Sequence, residues 1–294
     1  MAHYRPRALA PLLIVLLAAV ALLGAGRPAA AQTPVAATFG MEAEPQAEPA
    51  VTASGYFIFK APAGETVSGQ VRLSNPTTHS VTIELAAVDA LTAANGGSAF
   101  ALNETTPSAV GAWVTVKRTA ITLKPGKDQL VDFTVATPKT VKPGQYLAGL
   151  SAIEAANTGA TPTAAAAGQA GASVAVRTRY VIAVEIDVPG DWTPSLRITR
   201  SALLDQPSGR VLGIALTNDG AAFLRPSGSV TVTDAGGKTV LAQKIAMGTF
   251  VTGTSVVYPV AWPDDLAPGQ YHVAVDLAYG DGLTASYAGD VTAK

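Results

Sequence analysis

The chain has 294 residues, a formal net charge of −1 and no cysteine, and only 14% of its residues are charged. This nearly neutral balance argues against a nucleic-acid partner, which requires clustered lysine and arginine, and against electrostatic docking on anionic lipid. Because cysteine is absent, the sequence excludes thiol catalysis, cysteine-bound metal and anchoring through a lipid-modified N-terminal cysteine.

Residues 1–31 have the three-part pattern of a secretory signal peptide. Arg5 and Arg7 form a basic start, residues 8–26 are apolar, and Pro28-Ala29-Ala30-Ala31 offers a small-residue cleavage site. The alternative is an uncleaved membrane anchor, because the apolar run approaches the roughly 20 residues that span a bilayer. We expect an extracytoplasmic protein that is secreted or associated with the cell envelope.

Residues 32–50 are rich in proline, alanine and glutamate and show no apolar periodicity. This composition predicts a flexible leader between the signal segment and the first folded domain. The alternative is a disordered tail without a role.

Beyond Gly55, short runs alternate apolar and polar residues, which is the period of a half-buried strand. Residues 67–73, 81–85 and 130–135 follow this pattern, and Pro-Gly, Asn-Pro and Asn-Gly pairs lie between such runs. Short strands that are separated by turn residues about every 8–12 positions are typical of β-sandwiches. The sequence therefore predicts an all-β fold of immunoglobulin-like β-sandwich domains.

A weak internal repeat divides the chain into two halves. Leu73-Ser74-Asn75 is echoed by Leu216-Thr217-Asn218, and Pro143-Gly144-Gln145-Tyr146 is echoed by Pro268-Gly269-Gln270-Tyr271. The first copy is longer between its two motifs, and we place the insertion within residues 89–112. The repeat predicts two tandem immunoglobulin-like β-sandwich domains, 51–190 and 191–294.

Residues 155–173 are low in complexity and rich in alanine. Three glycines and one proline interrupt the alanine run, which would otherwise favour a helix. We interpret this segment as a mobile hairpin loop inside the first domain, and a flexible linker is the alternative. The domain boundary is predicted later, within residues 188–194.

The sequence offers no defensible catalytic motif. Its three histidines have no zinc-ligand spacing, its acidic residues are dispersed, and it lacks both a Gly-x-Ser-x-Gly turn and a phosphate-binding glycine loop. We predict a protein that is not an enzyme, with no catalytic residues, no cofactor and no metal. Asn103-Glu104-Thr105 fits a glycosylation acceptor, which we interpret as coincidence.

Three residues are candidates for ligand binding: Asn95, Gly96 and Trp113. Asn95 and Gly96 form a pair that is first of all a turn signal. Trp113 follows the predicted insertion, where an exposed indole can stack on a sugar ring. Packing in a core or an interface is the alternative for Trp113.

A set of dispersed turn and strand positions connects residues 55–155 to a known family. These positions are Tyr56-Phe57, Pro62-x-Gly64-Glu65, Val71-x-Leu73-x-Asn75, Ala90-x-Thr92-x-x-Asn95-Gly96, Leu123-Lys124-Pro125-Gly126, Val131-x-Phe133 and Gly144-Gln145-Tyr146-Leu147-Ala148-Gly149. The set resembles the peptidoglycan-binding domain of WxL-interacting proteins, over roughly residues 51–190. The resemblance implies a bacterial cell-surface protein that contacts the wall and surface-protein partners, with 191–294 as the second immunoglobulin-like domain of the family.

These observations predict an exported, non-catalytic cell-envelope binding protein. Its expected partners are peptidoglycan or another cell-wall polymer, or an envelope surface protein, with no nucleic acid and with membrane contact only through an uncleaved signal segment. Two alternatives share the architecture: a pilus-type periplasmic chaperone that acts by strand donation, and an accessory carbohydrate-binding module. Because a β-sandwich hosts many binding functions, the choice depends on the resemblance.

Overall fold

The computed structural model describes residues 38–45, 50–52, 55–155, 177–207 and 209–294. These residues form eighteen β-strands, one 3₁₀ turn at Val110–Trp113 and no α-helix, so the predicted all-β class is confirmed. Within them, no helix is long and apolar enough to cross a membrane. The predicted signal segment 1–31 and residues 156–173 of the predicted loop lie outside the described residues.

The strands follow one another along the chain in two groups. The first group is β1 (Gly40–Ala43), β2 (Ala50–Val51), β3 (Phe57–Lys60), β4 (Thr66–Ser74), β5 (Val81–Thr92), β6 (Ser98–Phe100), β7 (Val114–Val116), β8 (Ala120–Leu123), β9 (Asp128–Ala136), β10 (Gly144–Glu154) and β11 (Arg179–Val188). The second group is β12 (Leu196–Gln206), β13 (Gly209–Asn218), β14 (Ser227–Asp234), β15 (Thr239–Ala246), β16 (Ser255–Ala261), β17 (Gly269–Gly280) and β18 (Leu283–Ala293).

Hydrogen bonds join these strands into four sheets. The first group forms a sheet of order β1-β4-β9-β7 and a sheet of order β2-β3-β11-β10-β5-β6, in which β8 also pairs with β5. The second group forms the sheets β12-β13-β16 and β15-β14-β17-β18. β3 and β11 run parallel, whereas the long pairs such as β4–β9 and β17–β18 are antiparallel.

Each group of strands buries its own apolar cluster between its two sheets. In the first cluster, the ring of Phe133 lies 5.0 Å from that of Phe57 and 5.9 Å from that of Phe59, measured between ring centroids. Gly69 on β4 makes room for these rings, because a Cβ there would lie 2.5 Å from the Phe133 ring. Two facing sheets around one core are the architecture of a β-sandwich. The division at 190/191 into two domains stays a prediction.

The asparagines of the sequence repeat occupy equivalent places in the two halves. Asn75 is 1% exposed, and its Nδ2 donates to the carbonyl oxygens of His79 at 2.8 Å and Leu123 at 3.0 Å. Asn218 is fully buried, and its Nδ2 donates to the carbonyl oxygens of Ala222 at 2.8 Å and Phe250 at 3.0 Å. Each amide therefore ties the turn after its strand to a more distant segment of the same half.

The tyrosines of the repeat are equivalent as well. The hydroxyl of Tyr146 donates to the carbonyl of Lys142 at 2.9 Å, and that of Tyr271 donates to the carbonyl of Ala267 at 2.6 Å. In both cases the acceptor lies four residues upstream, as in the tyrosine corner of immunoglobulin-like sandwiches. The Pro-Gly-Gln-Tyr repeat thus marks the same corner in each half.

The flexible leader that we expected over residues 32–50 is wrong for residues 38–45. β1 pairs with β4, from Gly40 opposite Ser74 to Ala43 opposite Val71. Phe39 is 1% exposed, and its ring packs edge-on against that of Tyr180 at 5.0 Å. The alternating residues 39, 41 and 43 face the core, so a short strand exists where composition indicated none.

The two halves contact each other through the predicted insertion and the start of β10. Val251 of the second half packs against Leu147, and its N–H donates to Thr92 Oγ1 at 2.9 Å. The N–H of Gln145 donates to the carbonyl of Ala221 at 2.8 Å. Part of the predicted insertion therefore serves as a contact surface within the molecule.

Burial of Glu185 beside this junction is expected to make the stability of the protein depend on pH. Desolvation, and secondly the charge of Asp187, raises the pKa of Glu185. A pKa that is higher in the folded state contributes stability at low pH, and that contribution disappears as pH rises through the folded pKa. We therefore expect Glu185→Gln to gain free energy of unfolding relative to the wild type as pH rises from about 4 to 7.

Urea denaturation of both proteins across this pH range measures the difference. Glutamine preserves an acceptor for the amide of Gln145, which donates to Glu185 Oε1 at 3.3 Å. The exposed Glu65→Gln is the matched control. The expectation would be contradicted if the free energy of unfolding of Glu185→Gln relative to the wild type stayed constant with pH, or if it decreased as pH rises.

Candidate functional site

The structure places Asn95 and Gly96 in the turn between β5 and β6. The N–H of Gly96 donates to the carbonyl of Ala93 at 2.8 Å, and its φ of 84° is a conformation that favours glycine. A Cβ on Gly96 would lie 2.7 Å from the side chain of Met247. Gly96 therefore packs against the second half, while Asn95 is exposed at the tip of the turn.

Trp113 lies at the end of the 3₁₀ turn and packs against the first core. Its ring centroid is 4.9 Å from that of Tyr146, just as Trp262 lies 5.3 Å from Tyr271. Each half thus sets a tryptophan against its corner tyrosine. This geometry assigns Trp113 to packing, and the role of all three candidates in ligand binding stays a prediction.

A groove of about 460 Å³ opens beside the middle of β5. Residues 85–87 of β5 form its floor and residues 103–107 form one wall. The other wall consists of Gly111, Ala112, residues 114–116 and Thr119. The walls belong to the segment that joins β6 to β8, so this connection creates the groove, which we call the β5 groove.

Asp89 holds the middle of this connecting segment in place. Its Oδ1 accepts the N–H of Gly111 at 2.7 Å and its Oδ2 accepts the N–H of Ser108 at 2.8 Å, while the N–H of Ala109 lies 3.2 Å from both oxygens. Asp89 is only 8% exposed. Bonds from backbone N–H groups to a buried carboxylate are strong, so they fix the wall of the groove.

Gly111 fits this arrangement because it has no side chain. A Cβ at Gly111 would lie 2.7 Å from both the backbone nitrogen and Oδ1 of Asp89, and 2.7 Å from the carbonyl carbon of Val88. These are contacts that real Cβ atoms do not make, and two of the three atoms are backbone. Any larger residue at this position must displace the groove wall from β5.

The floor of the groove is an unpaired part of a strand edge. β8 pairs with β5 as far as Glu84, and β6 begins to pair at Ala90. The N–H of Leu85 donates to Thr119 O at 2.8 Å and Asp89 O accepts from Ala101 N–H at 2.9 Å. Because backbone groups alternate in direction along a strand, those of Ala87 face the same edge, where no strand of the described residues pairs with them.

Polar side chains line the wall of the β5 groove that residues 103–107 form. Asn103 Oδ1 accepts hydrogen bonds from Ser151 Oγ at 2.6 Å and from Arg179 Nε at 3.1 Å. Its buried Nδ2 has no partner among the described residues. Of the residues that line the groove, Glu104 alone is ionisable, so the groove carries a single negative charge.

A second, polar cleft of about 310 Å³ lies over β4 and β9. Gln70 Nε2 donates to Asp132 Oδ1 at 2.7 Å, and Lys117 Nζ contacts Asp132 Oδ2 at 2.9 Å. These two contacts, that of Gln70 first, lower the pKa of Asp132. Both carboxylate oxygens are therefore occupied within the protein, and no cluster of metal-ligand side chains occurs in the described ranges.

Sequence reasoning missed Asp89, Gly111 and Asn103. Asp89 had a usable signal, because it continues the core-facing series Leu85 and Ala87 on β5 with an acid. An acid at an inward position needs hydrogen-bond partners, which indicates a loop folded over it. The role of Asn103 depends on β10 and β11 and has no local signal.

The comparisons with known proteins confirm the predicted resemblance. Residues 39–154 match the family described as WxL Interacting Protein, peptidoglycan binding domain. The match begins before the predicted residue 51, at the buried Phe39 that precedes β1, and ends before the predicted residue 190. It contains all residues that line the β5 groove. No curated protein matches the chain.

Solved structures show similarity at low sequence identity. A chain of the chaperone–tip adhesion subunit complex from Csu pili of Acinetobacter baumannii is 12% identical with a TM-score of 0.42, and the alignment covers 87% of this chain and 98% of that one. A chain of the chaperone–tip adhesin complex of CFA/I fimbriae is 11% identical with a TM-score of 0.39, covering 86% and 98%. At such scores the similarity carries no argument about function.

Proposed function

We propose that this protein is an exported, non-catalytic cell-envelope binding protein that contacts peptidoglycan through its first half. The observation that carries the proposal is the match of residues 39–154 to a peptidoglycan-binding domain family. The β5 groove lies wholly within these residues. It is therefore the site that we assign to the polymer.

The lining of the β5 groove suits a polymer rich in hydroxyl and amide groups. Threonines 105, 106, 115 and 119 can donate and accept hydrogen bonds, and Ala87 contributes a backbone N–H and C=O with which no strand of the described residues pairs. Small apolar residues, among them Ala86, Ala112 and Val114, complete the lining. A mostly apolar cleft with a few polar groups is the usual composition of a ligand site.

The ionisable groups of the β5 groove support binding without catalysis. Glu104 is the single ionisable lining residue, and the carboxylate of Asp89 is occupied by the backbone N–H groups of three residues. Hydrolysis of a glycan by general acid–base catalysis uses a pair of positioned carboxyl groups. Among its lining residues the groove offers a single carboxyl group, that of Glu104.

Export through residues 1–31 and a second immunoglobulin-like domain at 191–294 belong to the same proposal. β11 ends at Val188 and β12 begins at Leu196, so the proposed boundary falls between strands. An envelope surface protein as a second partner belongs to the same proposal, and the match to the family supports it.

Co-sedimentation with purified peptidoglycan sacculi tests the proposal. We expect the protein to pellet with sacculi. Ala112→Trp should weaken this binding by about tenfold or more, because position 112 is exposed on the groove wall and the introduced indole would fill the groove. The matched control is Ala235→Trp in the exposed turn between β14 and β15, which should bind like the wild type. A wild-type protein that stays in the supernatant would overturn the proposed function.

A further inference from the structure

The unpaired backbone of Ala87 restricts what the β5 groove can recognise. In a hydrogen-bonded pair of antiparallel strands, one residue exchanges both its N–H and its C=O with one residue of the partner. Because backbone groups alternate along β5, the N–H and C=O of Ala87 both point toward the groove, between the bonds that Leu85 and Asp89 make at the same edge. A ligand that pairs with both groups as an antiparallel strand does so with an N–H and a C=O on either side of one carbon atom.

An amino-acid residue in an extended conformation meets this requirement. The acetamido group of an amino sugar does not, because N–H and C=O point in opposite directions across a planar trans amide. Such a group can bond to either the N–H or the C=O of Ala87 and leaves the other unpaired. Sugar hydroxyls can also donate and accept hydrogen bonds, but only an extended peptide residue supplies both partners in the spacing of a strand pair, so the backbone geometry favours a peptide over a glycan.

The surroundings of Ala87 agree with a short peptide that carries positive charge. Ala86, Gly111 and Ala112 leave space for a small side chain, and the threonine hydroxyls can pair with further amide groups. Glu104 is exposed on the groove wall and is the one ionisable lining residue, while the guanidinium of Arg179, which is not a lining residue, is bonded to Asn103. An ammonium group on the ligand would be attracted to this carboxylate.

We propose that the β5 groove binds the peptide arm of peptidoglycan, with one extended residue of that arm paired to the backbone of Ala87 and a free ammonium group near Glu104. This inference rests on the proposed function and makes it more specific. Pairing with an exposed strand edge supplies affinity through main-chain bonds, and the neighbouring side chains supply specificity. The glycan strands contribute little on this account.

Co-sedimentation with two polymers separates the inference from the function on which it rests. The protein is mixed with intact sacculi and, in parallel, with bead-immobilised glycan strands from which an amidase has removed the peptides, because strands without cross-linking peptides are soluble. We expect pelleting with intact sacculi, at least tenfold weaker binding to the glycan strands, and competition by the released peptides. Equal binding to both polymers would overturn the peptide inference and leave the proposed function in place, whereas no binding to either would overturn both.

Ala87→Pro tests the backbone pairing directly. Proline removes the N–H that faces the groove, while the pairing of β5 with β10 uses the N–H groups of Ala86 and Val88. Proline is tolerated at a strand edge whose N–H faces away from the sheet. We expect binding to intact sacculi to fall at least tenfold, with the wild-type circular dichroism spectrum retained.

Ala261→Pro is the matched control, because Ala261 is exposed on β16, at the edge of its sheet. If folded Ala87→Pro binds sacculi like the wild type, the backbone pairing is overturned.

Glu104→Gln does not alter the backbone and is expected to weaken binding about two- to fivefold at low salt, with little effect at high salt. If Glu104→Gln binds like the wild type at low salt, the ammonium contact is overturned.

Discussion

Replacing Asn75 with alanine is expected to lower the free energy of unfolding by about 3 kcal/mol. The change removes both bonds from Nδ2 and the bond that Oδ1 accepts from the N–H of Thr77 at 2.9 Å. The carbonyl of Leu123 then loses a buried partner. Because Asn218 makes the equivalent bonds, Asn218→Ala should lower the free energy of unfolding by a similar amount.

Equilibrium denaturation in urea measures these losses. Asn95→Ala is the matched control, since Asn95 is exposed and its one side-chain bond accepts the N–H of Gly97 at 3.3 Å. We expect this control to change the free energy of unfolding by less than about 0.5 kcal/mol. If Asn75→Ala were as mild as Asn95→Ala, the structural role of the repeated asparagine would be refuted.

Gly111→Ala is expected to reduce binding to sacculi by about tenfold or more and to lower stability by about 2 kcal/mol. The added Cβ meets the backbone of Val88 and Asp89 at 2.7 Å, so the segment bonded to Asp89 must move. The movement breaks charge-assisted bonds and shifts one wall of the groove. Co-sedimentation and urea denaturation measure the two effects separately.

Gly269→Ala is the control for this substitution, because a Cβ at Gly269 meets no atom within 4 Å. It should bind and unfold like the wild type. A folded Gly111→Ala protein with wild-type binding would show that the wall held by Asp89 does not form the binding site.

The sequence predicted those parts of the fold that depend on local pattern. Alternation over residues 67–73 and 130–135 located β4 and β9, which pair along their whole length. The Leu-x-Asn and Pro-Gly-Gln-Tyr repeats predicted two similar halves, and the structure gives each copy the same hydrogen bonds. Buried amides and corner tyrosines can be recognised in this way because their partners lie partly within four residues.

The missed features depend on contacts between distant segments. β1 is four residues long, and it is stabilised by pairing with β4 and by the packing of Phe39, neither of which composition reveals. The β5 groove exists because β8 and β6 leave the centre of β5 unpaired. Registers between non-adjacent strands are set by three-dimensional packing, so the site could not be placed from the pattern of the insertion.

The measurement that tests the central claim most directly is a titration of isotope-labelled protein with soluble disaccharide-peptide fragments of peptidoglycan, followed by nuclear magnetic resonance. We expect the amide signals of Ala87, Glu104, Thr105, Ala112 and Thr115 to shift with a common saturation curve, because these residues line one groove. Shifts confined to residues 196–294, or to the cleft around Asp132, would contradict the assignment of the β5 groove as the wall-binding site.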